Sequence, residues 1–150
     1  MTHGPAAIRG AVADDLEGIL RADHLAARGG RERAEFLRHS VMLGECQVYL
    51  GGGTVTGFVI VKTAAFFGRD FIDVLMVVPE VRRSGVGRAL LRHAVATSGT
   101  AQVFTSTNGS NRPMRSLLRS EGWSFSGTLD GLDEGDPELV YYKAGSGGPP

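Results

Sequence analysis

A largely apolar run at residues 71–78 ends at Pro79, and a glycine-containing loop and the start of a helix follow it. The loop reads RRSGVGR over residues 82–88. Its glycines, at 85 and 87, let the backbone turn sharply and let a ligand approach it closely. A helix that begins near Val86 directs its unpaired N–H groups and the positive end of its dipole at that loop. This order of elements predicts a phosphate or pyrophosphate site in the middle of the chain.

Two nucleotide-binding motifs that use the same geometry do not match this loop. A P-loop requires a lysine and a hydroxyl residue after its last glycine, whereas Arg88 and Ala89 follow Gly87. A dinucleotide fingerprint requires a third glycine, and Leu90 occupies that position. A nucleotide-binding regulator is therefore disfavoured, and the pattern that fits is R-x-x-G-x-G over residues 82–87.

The composition indicates one domain with a core, since the chain has 150 residues. Sixteen basic and sixteen acidic side chains give no net charge, so nothing global indicates nucleic acid or a membrane surface as a partner. No apolar run approaches the ~20 residues of a membrane span, and no secretory signal is recognisable. The single cysteine, Cys46, lies in an apolar stretch. We expect it to be buried and inert, in a protein of the reducing cytoplasm.

Hydrophobic periods of 2 and 3.6 residues alternate along the chain and predict an α/β domain. Strands are predicted at 7–12, 47–50, 55–63, 71–78, 102–107, 123–129 and 139–143, and helices at 14–27, 32–39, 86–97 and 113–121. Glycines at 29–30 separate the first two helices, and glycines at 51–53 form a hairpin turn. We expect one domain over residues 1–144 and a disordered tail over 145–150.

Three segments, in order, resemble the GNAT superfamily of acyl-CoA-dependent N-acyltransferases. The R-x-x-G-x-G loop resembles the family's pyrophosphate loop, and residues 111–123 resemble its N-x-x-A-x-x-L-Y-x-x-x-G-F block. Residues 8–15 are similar to its first strand and helix. The resemblance implies a GNAT fold, with a central mixed and mostly antiparallel sheet, splayed middle strands and about four flanking helices. It implies acetyl-CoA as the acyl donor and no metal.

The resemblance also assigns residues to the cofactor. The pantetheine arm would pair with the backbone of residues 75–77, and the pyrophosphate would lie in the loop. These positions, with two asparagines, are Leu75, Met76, Val77, Arg82, Arg83, Ser84, Gly85, Val86, Gly87, Arg88, Asn108 and Asn111. Alternatives stay open for several of them: Arg83 and Arg88 as surface charges, Asn108 as a turn residue, and Asn111 as a helix N-cap, with or without a cofactor contact.

Acyl transfer to an amine requires a base. Asp73 is the first candidate because it is charged within the apolar run 71–78, where burial would make a carboxylate a stronger base. In spermidine/spermine-type members a carboxylate at the matching position acts through water; the alternative is a structural aspartate. Glu134 and Asp133 are the next candidates. The family tyrosine that protonates the leaving thiolate falls on Leu118, which leaves water or another group for that step.

Residues 129–138 contain five carboxylates and no basic residue. The resemblance places this loop beside the acceptor, where it would attract a cationic amine; a solvated turn is the alternative. We therefore expect direct acetyl transfer in a ternary complex to a primary amine, with a small cationic acceptor. A weakly active or inactive CoA-binding module and an enzyme acting on a protein lysine or N-terminus remain alternatives. A homodimer is left open.

Overall fold

The computed structural model describes residues 7–147, and their order of strands and helices confirms the predicted α/β class. The strands are β1 (Ala7–Gly10), β2 (Cys46–Gly51), β3 (Thr54–Phe66), β4 (Arg69–Val77), β5 (Gln102–Asn108), β6 (Ser124–Leu129) and β7 (Glu138–Ala144). The α-helices are α1 (Leu16–Ala22), α2 (Ala26–Met42), α3 (Val86–Ala96) and α4 (Arg112–Ser120). Short 3-10 helices cover Ala13–Asp15 and Pro79–Val81.

The strands form one seven-stranded mixed sheet, in the order β1-β2-β3-β4-β5-β7-β6. The pairs β1–β2, β2–β3, β5–β7 and β6–β7 are antiparallel. The pair β4–β5 is parallel, and its ladder runs from Asp70 opposite Val103 to Ile72 opposite Thr105. Since α3 connects these parallel strands, the centre of the sheet contains the predicted strand–loop–helix–strand unit.

The chain divides into two compact units. The first consists of the residues up to Val61 together with Val74–His93, and the second of Lys62–Asp73 together with the residues from Ala94 onward. The tail predicted at 145–150 is hydrogen-bonded in its first part, since Gly145 N donates to Ala101 O (2.8 Å) and Gly147 N to Thr100 O (3.2 Å). Residues 148–150, and residues 1–6 of the predicted domain, lie outside the described part.

The core of the first unit contains fully buried side chains from α1, α2, β2 and β3, among them Ile19, Leu37, Val48, Phe58 and Ile60. The helix predicted through residue 27 ends earlier, at Ala22. The buried carboxylate of Asp23 accepts a hydrogen bond from Leu25 N (2.8 Å) and pairs with Arg33 Nε (2.8 Å), which stabilises a turn there. The predicted glycine break is a kink within α2, where Gly30 has φ 55°.

Gly57 of β3 allows α3 to pack closely against the first unit's strands. A Cβ at this position would lie 2.9 Å from the carbonyl oxygen of Met76, 2.9 Å from Val86 Cγ1 and 3.0 Å from Leu90 Cδ1. Real Cβ atoms essentially never approach other atoms below 3.0 Å. The first turn of α3, and hence the loop before it, therefore takes its position from a glycine in a neighbouring strand.

In the second unit, Asp70 is a buried structural carboxylate. Its Oδ1 accepts a hydrogen bond from Ala64 N (2.9 Å), and its Oδ2 accepts one from Ser98 Oγ (2.8 Å). Aromatic rings also pack across the strands of this unit. Ring centroids are 5.2 Å apart between Phe66 and Phe71, 5.0 Å between Phe66 and Phe104, and 5.7 Å between Phe104 and Tyr142.

Candidate active site

The loop between β4 and α3 has the shape that its glycines predict. After the 3-10 helix, Arg82 N donates to Pro79 O (3.3 Å) and Ser84 N to Val81 O (3.2 Å). Arg83 has φ 68° and Gly85 has φ 92°. Positive φ values on both sides of Ser84 curve the backbone, and such curvature makes concave sites where amide N–H groups can hold an anion. A value of 92° at Gly85 also explains why glycine is required there.

The start of α3 directs the amides of its first turn at this loop. An α-helical hydrogen bond at this end joins Ala89 N to Gly85 O (3.0 Å), and the amides of Val86 and Gly87 precede it in the chain. Val86 is buried and anchors the turn, whereas Arg82, Arg83, Ser84 and Gly85 are exposed. The loop therefore presents backbone donors, the positive helix end and arginine side chains on an accessible surface, which suits pyrophosphate.

The end of β4 belongs to the same unit as this loop. Leu75, Met76 and Val77 are each partly exposed. The strand ends at Val77. The N–H of the next residue, Val78, donates to Thr56 O (2.9 Å), and Pro79 follows with no N–H of its own. The structure thus brings all the predicted cofactor residues between 75 and 88 together in the first unit.

The two asparagines assigned to the cofactor lie in the second unit and have structural partners. Asn111 is the N-cap of α4, since its Oδ1 accepts a hydrogen bond from Met114 N (3.3 Å), which confirms the capping interpretation. Asn108, at the end of β5, donates from Nδ2 to Asp133 Oδ2 (2.8 Å). Asn108 therefore connects β5 to the acidic loop, and a cofactor contact for either residue stays a prediction.

The expected burial of Asp73 is wrong, because its side chain is exposed. β4 begins at Arg69, and its alternation places Asp70, Ile72 and Val74 on the buried face. Phe71 and Asp73 therefore share the other face. The buried charged residue of the strand is Asp70, whose hydrogen bonds are structural. Asp73 instead offers an accessible carboxylate, available to water or a substrate.

Sequence reasoning missed the aromatic row on the Asp73 face of the second unit. Phe71 is opposite Phe104 in the β4–β5 ladder, and Phe104 is opposite Tyr142 in the β5–β7 ladder. The three rings occupy one row of the sheet, with Asp73 two residues beyond Phe71 on the same face. The available signal was the period-2 spacing of Phe71 and Asp73. Aromatic faces beside a carboxylate can bind a cationic amine.

The acidic loop between β6 and β7 forms an open cleft of about 480 Å³. Its lining residues are Asp130, Gly131, Asp133, Glu134, Gly135, Asp136 and Pro137. Asp136 fixes one side, since its carboxylate accepts hydrogen bonds from Ser110 N (3.0 Å) and Ser110 Oγ (2.5 Å). Glu134 is exposed. The loop is therefore an acidic concavity in the second unit, and both its role beside the acceptor and the alternative of a solvated turn stay predictions.

Two further predictions concern the proton donor and the cysteine. Leu118 is fully buried in the second unit and has no group that can donate a proton. Cys46 is buried as predicted, and burial, assisted by the charge of Asp15, raises the pKa of its thiol to about 12. Cys46 is therefore no candidate nucleophile.

Within residues 7–147, no helix is both long and apolar enough to cross a bilayer. The same residues contain no group of three or more His, Cys, Asp or Glu side chains arranged to hold a metal ion.

Residues 14–123 match the model of a family described as the acetyltransferase (GNAT) family. Among solved structures, a GNAT-family acetyltransferase from Bacillus cereus ATCC 10987 is similar, with a TM-score of 0.86 and 32% sequence identity over 95% of this chain and 99% of that chain. No curated protein sequence matches significantly.

Two Arabidopsis thaliana structures share the fold at lower identity. NAA60 in complex with a bisubstrate analogue has a TM-score of 0.73 and 18% identity, over 95% of this chain and 99% of that chain. Naa50 in complex with the bisubstrate analogue CoA-Ac-MVNAL has a TM-score of 0.70 and 16% identity, over 92% and 97% of the two chains.

Proposed function

Since the chain belongs to the GNAT family of acetyltransferases, which use acetyl-CoA as acyl donor, we propose that it acetylates the primary amine of a small cationic acceptor. Transfer would be direct, within a ternary complex. Cys46, buried and with a raised thiol pKa, gives no support to a covalent route through the enzyme. The observation that carries the acceptor proposal is the acidic cleft of the second unit.

The donor half of the proposal rests on the first unit. The amides at the start of α3 and the loop at 82–85, with its two positive φ angles, would hold the pyrophosphate, and Arg82 and Arg83 would add positive charge. The backbone of residues 75–77 would pair with the pantetheine arm. Acetyl-CoA supplies the activated acetyl group as a thioester. The first unit contributes the position of the thioester, and attack by a bound amine on a fixed thioester is effectively unimolecular.

The acceptor half rests on the second unit. The cleft contributes the carboxylates of Asp130, Asp133 and Glu134, and these would attract a cation and raise its rate of encounter. The aromatic row of Phe71, Phe104 and Tyr142 supplies ring faces that favour an ammonium group. The cleft carboxylates and the aromatic ring faces both attract positive charge, and both are accessible. A polyamine or diamine therefore fits better than a neutral or anionic amine.

Asp73 is the proposed general base. Its exposed carboxylate would take a proton from the attacking ammonium group through a water molecule, leaving the amine neutral for attack on the thioester carbonyl. Attack forms the C–N bond, loss of the thiolate breaks the C–S bond, and the extra proton on the new amide nitrogen passes through water to the thiolate. Water would protonate the thiolate, because Leu118 offers no proton. Glu134 is the second candidate for the base, and the kcat and KM of variants at the two positions distinguish the two candidates.

The test measures CoA thiol release with acetyl-CoA and a panel of acceptors: spermidine, a monoamine, a neutral amine, and peptides with a free N-terminus or a lysine. We expect turnover with the cationic small amines first. Asp73→Asn should lower kcat by about 100-fold or more with the dissociation constant for acetyl-CoA unchanged. Glu134→Gln should raise KM for the cationic acceptor and leave kcat nearly unchanged.

Asp14→Asn is the matched control, since it makes the same chemical change at an exposed carboxylate of the first unit. It should leave kcat and KM unchanged. Full kcat in Asp73→Asn would remove Asp73 from the mechanism, and a large kcat loss in Glu134→Gln would transfer the base role to it. Turnover confined to the peptides would replace the small acceptor by a protein. Binding of acetyl-CoA without turnover of any acceptor would indicate an inactive CoA-binding module.

A further inference from the structure

A second concavity in the second unit lies between α4, the start of β6 and β7, and its chemistry is opposite to that of the acidic cleft. Its volume is about 340 Å³, within the range of small-molecule sites. The lining residues are Arg115, Arg119, Trp123, Phe125, Leu139 and Tyr141. This set, the cationic–aromatic cavity, combines two guanidinium groups with three aromatic rings and includes no carboxylate.

The two arginines present their charges from one face of α4, because they are four residues apart. Arg115 is held by a hydrogen bond from Nη1 to Gly109 O (2.9 Å). Its Nε is buried and has no hydrogen-bond partner among the residues that the structure describes. A buried donor without an acceptor is costly and leaves the positive charge of this guanidinium poorly compensated, which favours an anion in the adjoining cavity. Arg119 is exposed at the edge of the same cavity.

The aromatic wall is held in place by backbone structure. Phe125 and Tyr141 are opposite each other in the β6–β7 ladder, with ring centroids 5.7 Å apart and planes at 71°. Trp123 lies three residues after the end of α4 at Ser120, and its backbone N–H donates to Leu118 O (3.0 Å). Trp123 and Tyr141 are buried, whereas Phe125 is 57% exposed. One exposed ring and two buried rings along the same cavity suit a flat apolar body.

The cavity is separate from the features assigned to the acceptor. Tyr141 and Tyr142 are consecutive in β7, so their side chains point to opposite faces of the sheet. Tyr142 belongs to the aromatic row with Phe104 and Phe71, and Tyr141 lines the cavity. None of the six lining residues is among those assigned to acetyl-CoA or to the base. A ligand here would be an additional one, and its binding does not depend on the proposed function.

We propose that the cationic–aromatic cavity binds a small carboxylate with an aromatic body. The carboxylate pairs with Arg115 and Arg119, whose planar guanidinium groups match it in shape and charge. The aromatic body packs against Trp123, Tyr141 and Phe125. The acidic cleft selects cations and this cavity selects anions, so one unit carries two sites of opposite charge preference.

The test uses tryptophan fluorescence, because Trp123 is the only tryptophan of the chain and lines the cavity. Phenylacetate is titrated into the whole protein, with 2-phenylethylamine and acetate as comparison ligands at matched ionic strength. We expect a saturable change with phenylacetate and a dissociation constant below about 1 mM. The amine shares the ring but carries the opposite charge, and acetate lacks the ring. Neither should saturate in that range.

Arg119→Gln should weaken phenylacetate binding about tenfold or more, and Arg119→Lys should retain part of the affinity. Arg112→Gln is the matched control, since it removes the same charge from the same helix outside the cavity, and it should bind as the unmodified chain does. The proposal is overturned by no saturation with phenylacetate, by equal binding of the amine, or by equal affinity in Arg119→Gln. A Trp123 signal that changes with protein concentration alone would assign the cavity to a second copy of the chain, and would overturn it too.

Discussion

Gly57→Ala tests how the anion-binding loop obtains its position. The added Cβ would lie 2.9 Å from Met76 O, 2.9 Å from Val86 Cγ1 and 3.0 Å from Leu90 Cδ1. A backbone oxygen cannot rotate away, so β3, β4 or α3 has to shift. Overpacking of this kind costs about 1–3 kcal/mol. Since Val86 begins α3, the shift should also displace the loop at 82–85 and weaken acetyl-CoA binding.

The assay is urea unfolding followed by circular dichroism, together with calorimetric titration of acetyl-CoA. Gly127→Ala is the matched control, because Gly127 is also a strand glycine but a Cβ there would meet no atom within 4 Å. We expect the control to change the free energy of unfolding by less than about 0.5 kcal/mol. Equal stability and equal acetyl-CoA affinity in the two variants would refute the close packing of α3 on β3 as the source of the loop's position.

Two further predictions concern the first unit. The hydrogen bonds from Arg9 hold the pKa of the Asp15 carboxyl below its usual value. A carboxyl whose pKa is lower in the folded state stabilises the fold at any pH above its unfolded pKa of about 3.9. That stabilisation is lost as the pH falls through the folded-state pKa. Because the guanidinium of Arg9 is solvent-exposed and screened, Asp15→Asn should lower the free energy of unfolding by only about 1 kcal/mol at neutral pH and flatten its acid dependence. Urea unfolding across pH measures this, and an unchanged acid limb would contradict it. Burial raises the pKa of the Cys46 thiol to about 12, so a thiol-specific reagent at about pH 8 should label it only after denaturation, and rapid labelling of the native protein would disprove its burial.

Local patterns were sufficient to predict most of the fold. Period-2 and period-3.6 stretches located the strands and helices, and the glycines at 51–53 located the β2–β3 turn, where Gly52 and Gly53 have φ 58° and 81°. The sequence also predicted the loop before α3, because the positive φ of Gly85 is a local property that requires glycine. The sequence did not predict where α1 ends, because the turn at Asp23 is stabilised by Arg33, ten residues away.

The side-chain environment of the sites could not be read in the same way. The exposure of Asp73 depends on which face of β4 is covered: Asp70, Ile72 and Val74 are buried on one face, and Asp73 lies on the other. The cationic–aromatic cavity needs Arg119, Phe125 and Tyr141, which are distant in the sequence and are brought together only by the packing of α4 and the pairing of β6 with β7. The pattern of residues along the sequence shows neither the exposure of Asp73 nor the assembly of this cavity.

We propose that the loop at 82–88 and the start of α3 bind the donor. The most direct measurement is calorimetric titration of acetyl-CoA into the unmodified chain and into Gly85→Ala, with ATP and NAD as comparison ligands. Gly68→Ala is the control, because Gly68 also has a positive φ, 77° against 92° at Gly85, and a Cβ added at either position would meet no atom within 4 Å.

We expect acetyl-CoA to bind the unmodified chain and Gly68→Ala alike, to bind Gly85→Ala at least about tenfold more weakly, and to bind in preference to ATP and NAD. Equal affinity of acetyl-CoA for Gly85→Ala and Gly68→Ala would contradict the assignment of the donor to this loop.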